Sequence, residues 1–171
     1  MKIPKNVELA IKEFVEACKK KFGDDLVSIV LFGSYARGNA TRYSDIDLIL
    51  VIKNLPSNTW ERDKLIDEIV LRFLLEKHKR ISPILVTPEE LEKHAKWPNP
   101  LFYGILLGYK PLYGKKIFED VMEIVKRRVA EKKPVYIEGG KKWELEEKVR
   151  RRVFDFLRVY MDFVEWVKKW S

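Results

Sequence analysis

Two acids separated by one residue, Asp45 and Asp47, stand at the head of the apolar run Ile46–Ile52. In an extended strand residues i and i+2 share a face, so the pair presents two carboxylates side by side while Ile46 and Leu48 turn the other way. At ~3.3 Å rise per residue their Cα atoms lie roughly 6 to 7 Å apart. That separation lets the side chains converge on one divalent cation or hold two, and two-metal phosphoryl sites set their ions about 3.5 to 4 Å apart among oxygen ligands. Upstream, the apolar run Leu26–Phe32 breaks at Gly33-Ser34. Glycine permits a sharp turn and close approach of a phosphate to the backbone. Ser34 offers a hydroxyl and a place at the cap of a short helical turn whose free N–H groups attract anions. Arg37 and Arg42 add positive charge nearby. An Asp-x-Asp pair alone more often marks a solvated strand end; the Gly-Ser turn, the Arg-Gly that follows it and the distance to the pair favour a metal site facing a phosphate cradle.

GSYARG followed by SDIDL, with Gly33, Ser34, Gly38, Asp45 and Asp47 at matching positions, resembles the signature of the DNA polymerase β-like nucleotidyltransferase superfamily, in particular its minimal nucleotidyltransferases from bacteria and archaea. The resemblance implies an α/β (α+β) fold, a small mixed sheet with flanking helices. It implies transfer of a nucleoside monophosphate, AMP foremost, from a nucleoside triphosphate such as ATP to a hydroxyl acceptor, with release of pyrophosphate. Asp45 and Asp47 would be catalytic and hold Mg²⁺ or Mn²⁺; Gly33 and Ser34 would hold the phosphates, with Arg37 and Arg42 as charge stabilisers. The acceptor stays open, because relatives modify a tyrosine of a small helical toxin, small molecules or RNA ends. The family pattern also places a third carboxylate on the strand after the connecting helix. In RISPILV that position falls at or beside Ser82, and no acid lies between Glu76 and Glu89. Either an acid comes from elsewhere, with Glu89, Glu119, Asp120 and Glu138 as candidates, or the site binds nucleotide and turns over slowly or not at all. In the second case the chain is a nucleotide-binding or assembly subunit, or an antitoxin-like partner of a small helical protein.

The elements that must position these residues follow from periodicity. Val7, Ala10, Ile11, Phe14, Ala17, Cys18 and Phe22 recur at helical spacing, and Gly23 follows as a stop. Thr59 can cap a second helix whose Leu65, Ile66, Ile69, Val70, Phe73 and Leu74 should cover the sheet. Ile81–Val86 reads as a strand that Pro83 assigns to an edge or an irregular position. Thr87-Pro88-Glu89-Glu90 combines a capping box with proline in the first turn. A helix from Asn99-Pro100 ends near Gly108, and Tyr109–Gly114 reads as a turn-rich connector. Trp97, Tyr103, Tyr109 and Tyr113 could stack on a base, but aromatics bounded by proline and glycine are more often packing residues. Beyond it the sequence predicts a helix from Lys115 to about Glu131, a short extended turn at Val135–Ile137, and a last helix from about Lys141 to Trp170. The apolar stripe of that helix is wide enough to meet two partners, one of them another subunit or a helical protein. The expected division is a nucleotidyltransferase core over 1–95 and a helical C-terminal region over 96–171.

Composition bounds the rest. No apolar run is long enough to span a membrane, and Met1-Lys2-Ile3-Pro4 carries no signal-peptide pattern; the expectation is a cytoplasmic protein. The single cysteine, Cys18, falls on an apolar helix face and reads as core. His78 and His94 lie in charged segments ending helices and read as surface residues. The charged fraction is high and the chain contains no glutamine, as in proteins of hot habitats. Of the net charge of +8, most belongs to the tail: Lys and Arg outnumber Asp and Glu 17 to 15 through Tyr109 and 17 to 11 from Lys110 onward. Lys148-Val149-Arg150-Arg151-Arg152 is the densest basic cluster, but flanking acids make a paired, solvated helix face a better reading than a nucleic-acid surface.

Overall fold

The computed structural model describes residues 3–96, 100–132, 135–137 and 142–144. Helix α1, Lys5–Phe22, buries Val7, Ala10, Ile11, Phe14, Val15 and Cys18 along one face. It ends at Gly23, whose φ of +50° suits glycine. Strand β1, Leu26–Leu31, runs into the short helix α2, Gly33–Arg37, and the chain returns as β2, Ile46–Ile52, antiparallel to β1. Helix α3, Thr59–Lys77, crosses over to β3, Ile81–Val86, which lies parallel to β2. Helices α4, Pro88–Lys96, and α5, Pro100–Leu106, precede β4, Lys110–Tyr113, which pairs antiparallel with β1 and closes a four-stranded mixed sheet of order β3-β2-β1-β4.

Alternation along the strands decides which helices cover which face. Ile29, Leu31, Ile46, Leu48 and Leu50 pack with α1 and α3, where Phe14 meets Phe73 edge-on at 5.5 Å. Val30, Ile49 and Val51 pack on the opposite side with α4, α5 and α6, Lys115–Lys132. The central strands β1 and β2 are therefore covered on both faces, which leaves their ends as the places where polar side chains can gather.

Several expectations hold in detail. Pro83 lies on β3, an edge strand. The capping box forms reciprocally: Thr87 N–H donates to Glu90 Oε2 at 2.9 Å, and Glu90 N–H donates to Thr87 Oγ1 at 3.2 Å. Tyr103 is fully buried and Tyr109 packs on the Phe118 ring at 5.5 Å, as packing residues do.

Others need correction. Residues 110–113 form no connector but the fourth strand, because Pro111 is tolerated on an edge and long-range pairing with β1 outweighs local turn propensity. Asn58, not Thr59, caps α3, its side chain accepting from Trp60 N–H at 2.9 Å. Leu74 was expected in the core and is 41% exposed, since α3 packs through the narrower stripe of Ile66, Ile69 and Phe73. His94 is half-buried, its ring stacked on Phe102 at 5.5 Å, and not a free surface residue. The last helix does not begin at Lys141 as the sequence predicts: β5, Val135–Ile137, and β6, Lys142–Glu144, pair as an antiparallel ladder. The remainder of that predicted helix, with the cluster around Arg150, lies outside the described residues, as do Trp97 and Glu138.

Candidate active site

At one end of the sheet the exit of β1 meets the entry of β2. Phe32 N–H donates to the Asp47 carbonyl at 3.0 Å, which fixes the turn after β1 against the second residue of β2. Gly33 follows with φ +69°, and a Cβ built there would lie 1.9 Å from Asp47 Oδ2. Only glycine leaves room for the carboxylate in that position, and its left-handed backbone would strain any other residue. Helix α2 begins at Gly33 and closes at Gly38, φ +76°, whose N–H donates to the Ser34 carbonyl. Ser34 sits within the first turn; the cap position is Phe32, and no side chain caps the turn. The first turn of α2 therefore starts beside Asp47 at this end of the sheet.

Asp45 immediately precedes β2 and Asp47 is its second residue. The β2–β3 register sets Asp47 opposite Ser82, which is exposed, so the strand position read as wanting an acid does hold a serine. Just before β3, Arg80 accepts Ile46 N–H at its carbonyl at 2.9 Å, and its Nε lies 3.6 Å from Asp45 Oδ1. The Asp47 acid is pushed up to about 6, first by burial and then by the Asp45 charge, with Arg37 opposing. The Tyr35 phenol is raised by burial and, secondarily, by Asp45. Among the described residues Asp47 has no ion-pair partner within 4.0 Å. Two adjacent carboxylates, one half-buried and raised by its neighbour, suit a hard divalent cation, which would remove the repulsion and favour both ionised forms.

Arg37 ends α2 and abuts the α5–β4 connection: a Cβ on Gly108 would lie 2.9 Å from Arg37 Cγ. Arg42 is placed differently. Its guanidinium stacks over the Tyr43 ring at 4.5 Å, hydrogen-bonds Tyr43 Oη, and lines a cavity beside α1. The loop between is tied by Thr41 N–H to Ser44 Oγ at 2.9 Å and Ser44 N–H to the Thr41 carbonyl at 3.1 Å. No group of three or more His, Cys, Asp or Glu side chains able to hold a metal occurs among the described residues, so Glu89, Glu119 and Asp120 do not join the pair. Glu119 pairs instead with Lys115 at 3.3 Å. Arg80 escaped the sequence reading, as did the contact of Gly108 with Arg37, since Gly108 was read only as a helix end. The only available signal for Arg80 was its position ahead of the third strand; Gly108 gave none, because its contact depends on β4.

Residues 11–113 match the nucleotidyltransferase domain family. The chain belongs to that family, as a minimal nucleotidyltransferase. Among curated proteins it is 46% identical over 136 residues, 79% of this chain and 91% of the relative, to the "Putative protein adenylyltransferase MJ1305" of Methanocaldococcus jannaschii. It is 39% identical over 92 residues, 54% of this chain and 85% of the relative, to the "Putative protein adenylyltransferase MJ0604" of the same organism. Among solved structures, a chain of "Crystal structure of the toxin-antitoxin with AMP-PNP" superposes with a TM-score of 0.46 at 20% identity, covering 71% of this chain and 92% of that one. Among the described residues no helix is long and apolar enough to cross a membrane.

Proposed function

We propose that the chain transfers AMP from ATP to a hydroxyl of a protein acceptor, releasing pyrophosphate, with Asp45 and Asp47 holding Mg²⁺ or Mn²⁺. The observation that carries this reading is the contact of Gly33 with Asp47, which sets an open backbone turn against a carboxylate pair at one sheet end. Gly33 and Ser34 present N–H groups and a hydroxyl to the phosphates; Arg37 supplies positive charge beside them. When bound, the divalent cation supplies neutralisation of charge on the phosphate oxygens. The acceptor oxygen bonds to the α-phosphorus, the bond from that phosphorus to the bridging oxygen of pyrophosphate breaks, and the hydroxyl proton leaves to water. The choice of adenine and of a protein acceptor is supported by the names of the curated relatives.

A slower or silent site is the second reading, favoured by Ser82 opposite Asp47. Phosphoryl transfer rests mainly on positioning and charge neutralisation, and a missing general base costs ~10² to 10⁴-fold, so the two readings differ in rate before they differ in kind. The test is incubation of the full chain with α-labelled ATP, Mg²⁺ or Mn²⁺ and lysate of its source, beside Asp45→Asn/Asp47→Asn. Label on protein with wild type alone is the expected result. Nucleotide binding without label on any acceptor establishes the second reading, and label on RNA or small molecules alone overturns the protein acceptor.

A further inference from the structure

A cavity of about 410 Å³ opens beside the first turn of α1. Asp47 shares its strand parity with Ile49 and Val51, which face α4 and α6. Val7 and Tyr35, which wall the cavity, belong to the layer of α1 and α3. The cavity and the aspartates therefore lie toward opposite faces of the same sheet end, with Tyr35 between them.

Its lining divides into two parts. Ile3, Val7, Tyr35 and Ala40 make an apolar wall, while Arg42 and Lys79 bring two cations. Among the described residues neither cation has a carboxylate within 4.0 Å, although their neighbours do: Lys77 pairs with Glu13 at 2.9 Å and Arg80 with Asp45 at 3.6 Å. The 18-residue α1 also starts here with Pro4 at its cap position, its carbonyl accepting the Val7 and Glu8 N–H groups at 2.9 Å, and no side chain caps the turn; its positive end adds to the same field, with Glu8 in the first turn opposing it. Arg42, exposed and stacked on Tyr43, and Lys79, half-buried, keep their charged heads free of any carboxylate and open to an anion at the cavity, and the volume falls in the ~300 to 1,000 Å³ range of small-molecule sites.

We propose that this cavity is a second ligand site, separate from the nucleotide site, for a small phosphate monoester carrying an apolar or aromatic body. The dianionic head lies between Arg42 and Lys79, where a guanidinium offers paired donors and an ammonium a point charge. The body rests on Val7, Ala40 and Tyr35. The assignment does not depend on catalysis at the aspartates.

Phenyl phosphate is the probe, titrated into the full chain without divalent metal, by calorimetry and by amide chemical shifts. Wild type and Asp45→Asn/Asp47→Asn should both bind it saturably at one site, more tightly than inorganic phosphate, with shifts centred on Asn6, Val7 and Thr41. Lys79→Gln, a partly exposed side chain with no ion pair to lose, should weaken binding about tenfold, the worth of one charge-assisted contact; Arg42→Gln/Lys79→Gln should abolish it. Absence of binding, equal affinity for inorganic phosphate, an unchanged affinity in Lys79→Gln, or shifts centred on Gly33 and Ser34 would each overturn the proposal.

Discussion

Asp47 ionises near 6 in the folded chain, against 3.8 ordinarily, because it is half-buried beside the Asp45 carboxylate. A carboxyl raised on folding holds its proton in the native state after the unfolded chain has lost it. Folding stability therefore falls as pH rises from about 4 to about 6 and stays reduced above, by roughly 1 to 3 kcal/mol after solvent screening of the half-buried group. Asp47→Asn removes that cost. Without divalent cations the variant should be more stable than wild type at pH 7.5 by about 1 to 3 kcal/mol, with the advantage fading through pH 6 to 4, while transfer is lost. Urea unfolding at these pH values measures it, and a pH-independent difference contradicts the assignment. Gly33→Ala acts on the same contact from the other side: the methyl must displace Asp47 Oδ2, and its φ of +69° costs ~1 to 3 kcal/mol. Its metal-dependent nucleotide binding should fall at least about tenfold in an ATP titration, a loss of ~1.4 kcal/mol. The i, i+2 carboxylates and the Gly-Ser break were legible as local patterns, and the structure brings them together at one sheet end. Arg80 beside Asp45 and Gly108 against Arg37 were not, because register and a distant strand create those contacts.

Among the elements, α4 shows what local reading reaches and where it stops. The capping box at Thr87 and Glu90 was visible in four consecutive residues. The same Glu90 also takes a two-pronged ion pair from Arg62 on α3, at 2.7 and 2.8 Å, which no spacing announces across 28 residues. Arg62 is 7% exposed and donates further to the Pro56 and Leu85 carbonyls, so it anchors the α3 entry to the end of β3. Its guanidinium is held even higher than usual by the Glu90 hydrogen bond, and Glu90 is correspondingly lowered. Glu90→Gln should cost about 2 kcal/mol, below the ~3 to 5 of a fully buried pair because Glu90 is 37% exposed. A double-mutant cycle with Arg62→Met should return a coupling of about 1 to 3 kcal/mol; additive losses would show that the pair holds nothing. β4 was missed for the opposite reason: its Pro111 and the following Gly114 are turn residues by type. In place, Pro111 sits on an edge strand, and Gly114, φ +57°, leaves room for the Val27 carbonyl, 1.8 Å from where a Cβ would stand.

At the scale of the molecule, fold and site are built from separable sets of side chains. One apolar layer joins α1 and α3 to the sheet, the other joins α4, α5 and α6, and neither recruits Asp45 or Asp47. The layered architecture could be read from the unbroken apolar run Leu48–Ile52 of β2, which marks a strand covered on both faces, because strand and helix patterns depend on near neighbours along the chain. The strand order could not, since it is fixed by which edge each crossover reaches. Separation of the two sets gives a sharp consequence for metal removal. A chelator should abolish nucleotidyl transfer and lower only the unfolding midpoint, leaving far-UV circular dichroism and the cooperativity of the transition unchanged, because no described hydrophobic contact passes through the carboxylate pair. Restoring Mg²⁺ or Mn²⁺ should then stabilise the native state by mass action, about 2.7 kcal/mol at a hundred times the dissociation constant. That gain should be absent in Asp45→Asn/Asp47→Asn. If chelation instead melts the wild type, the cation is part of the core and the division drawn between the layers and the sheet end is wrong.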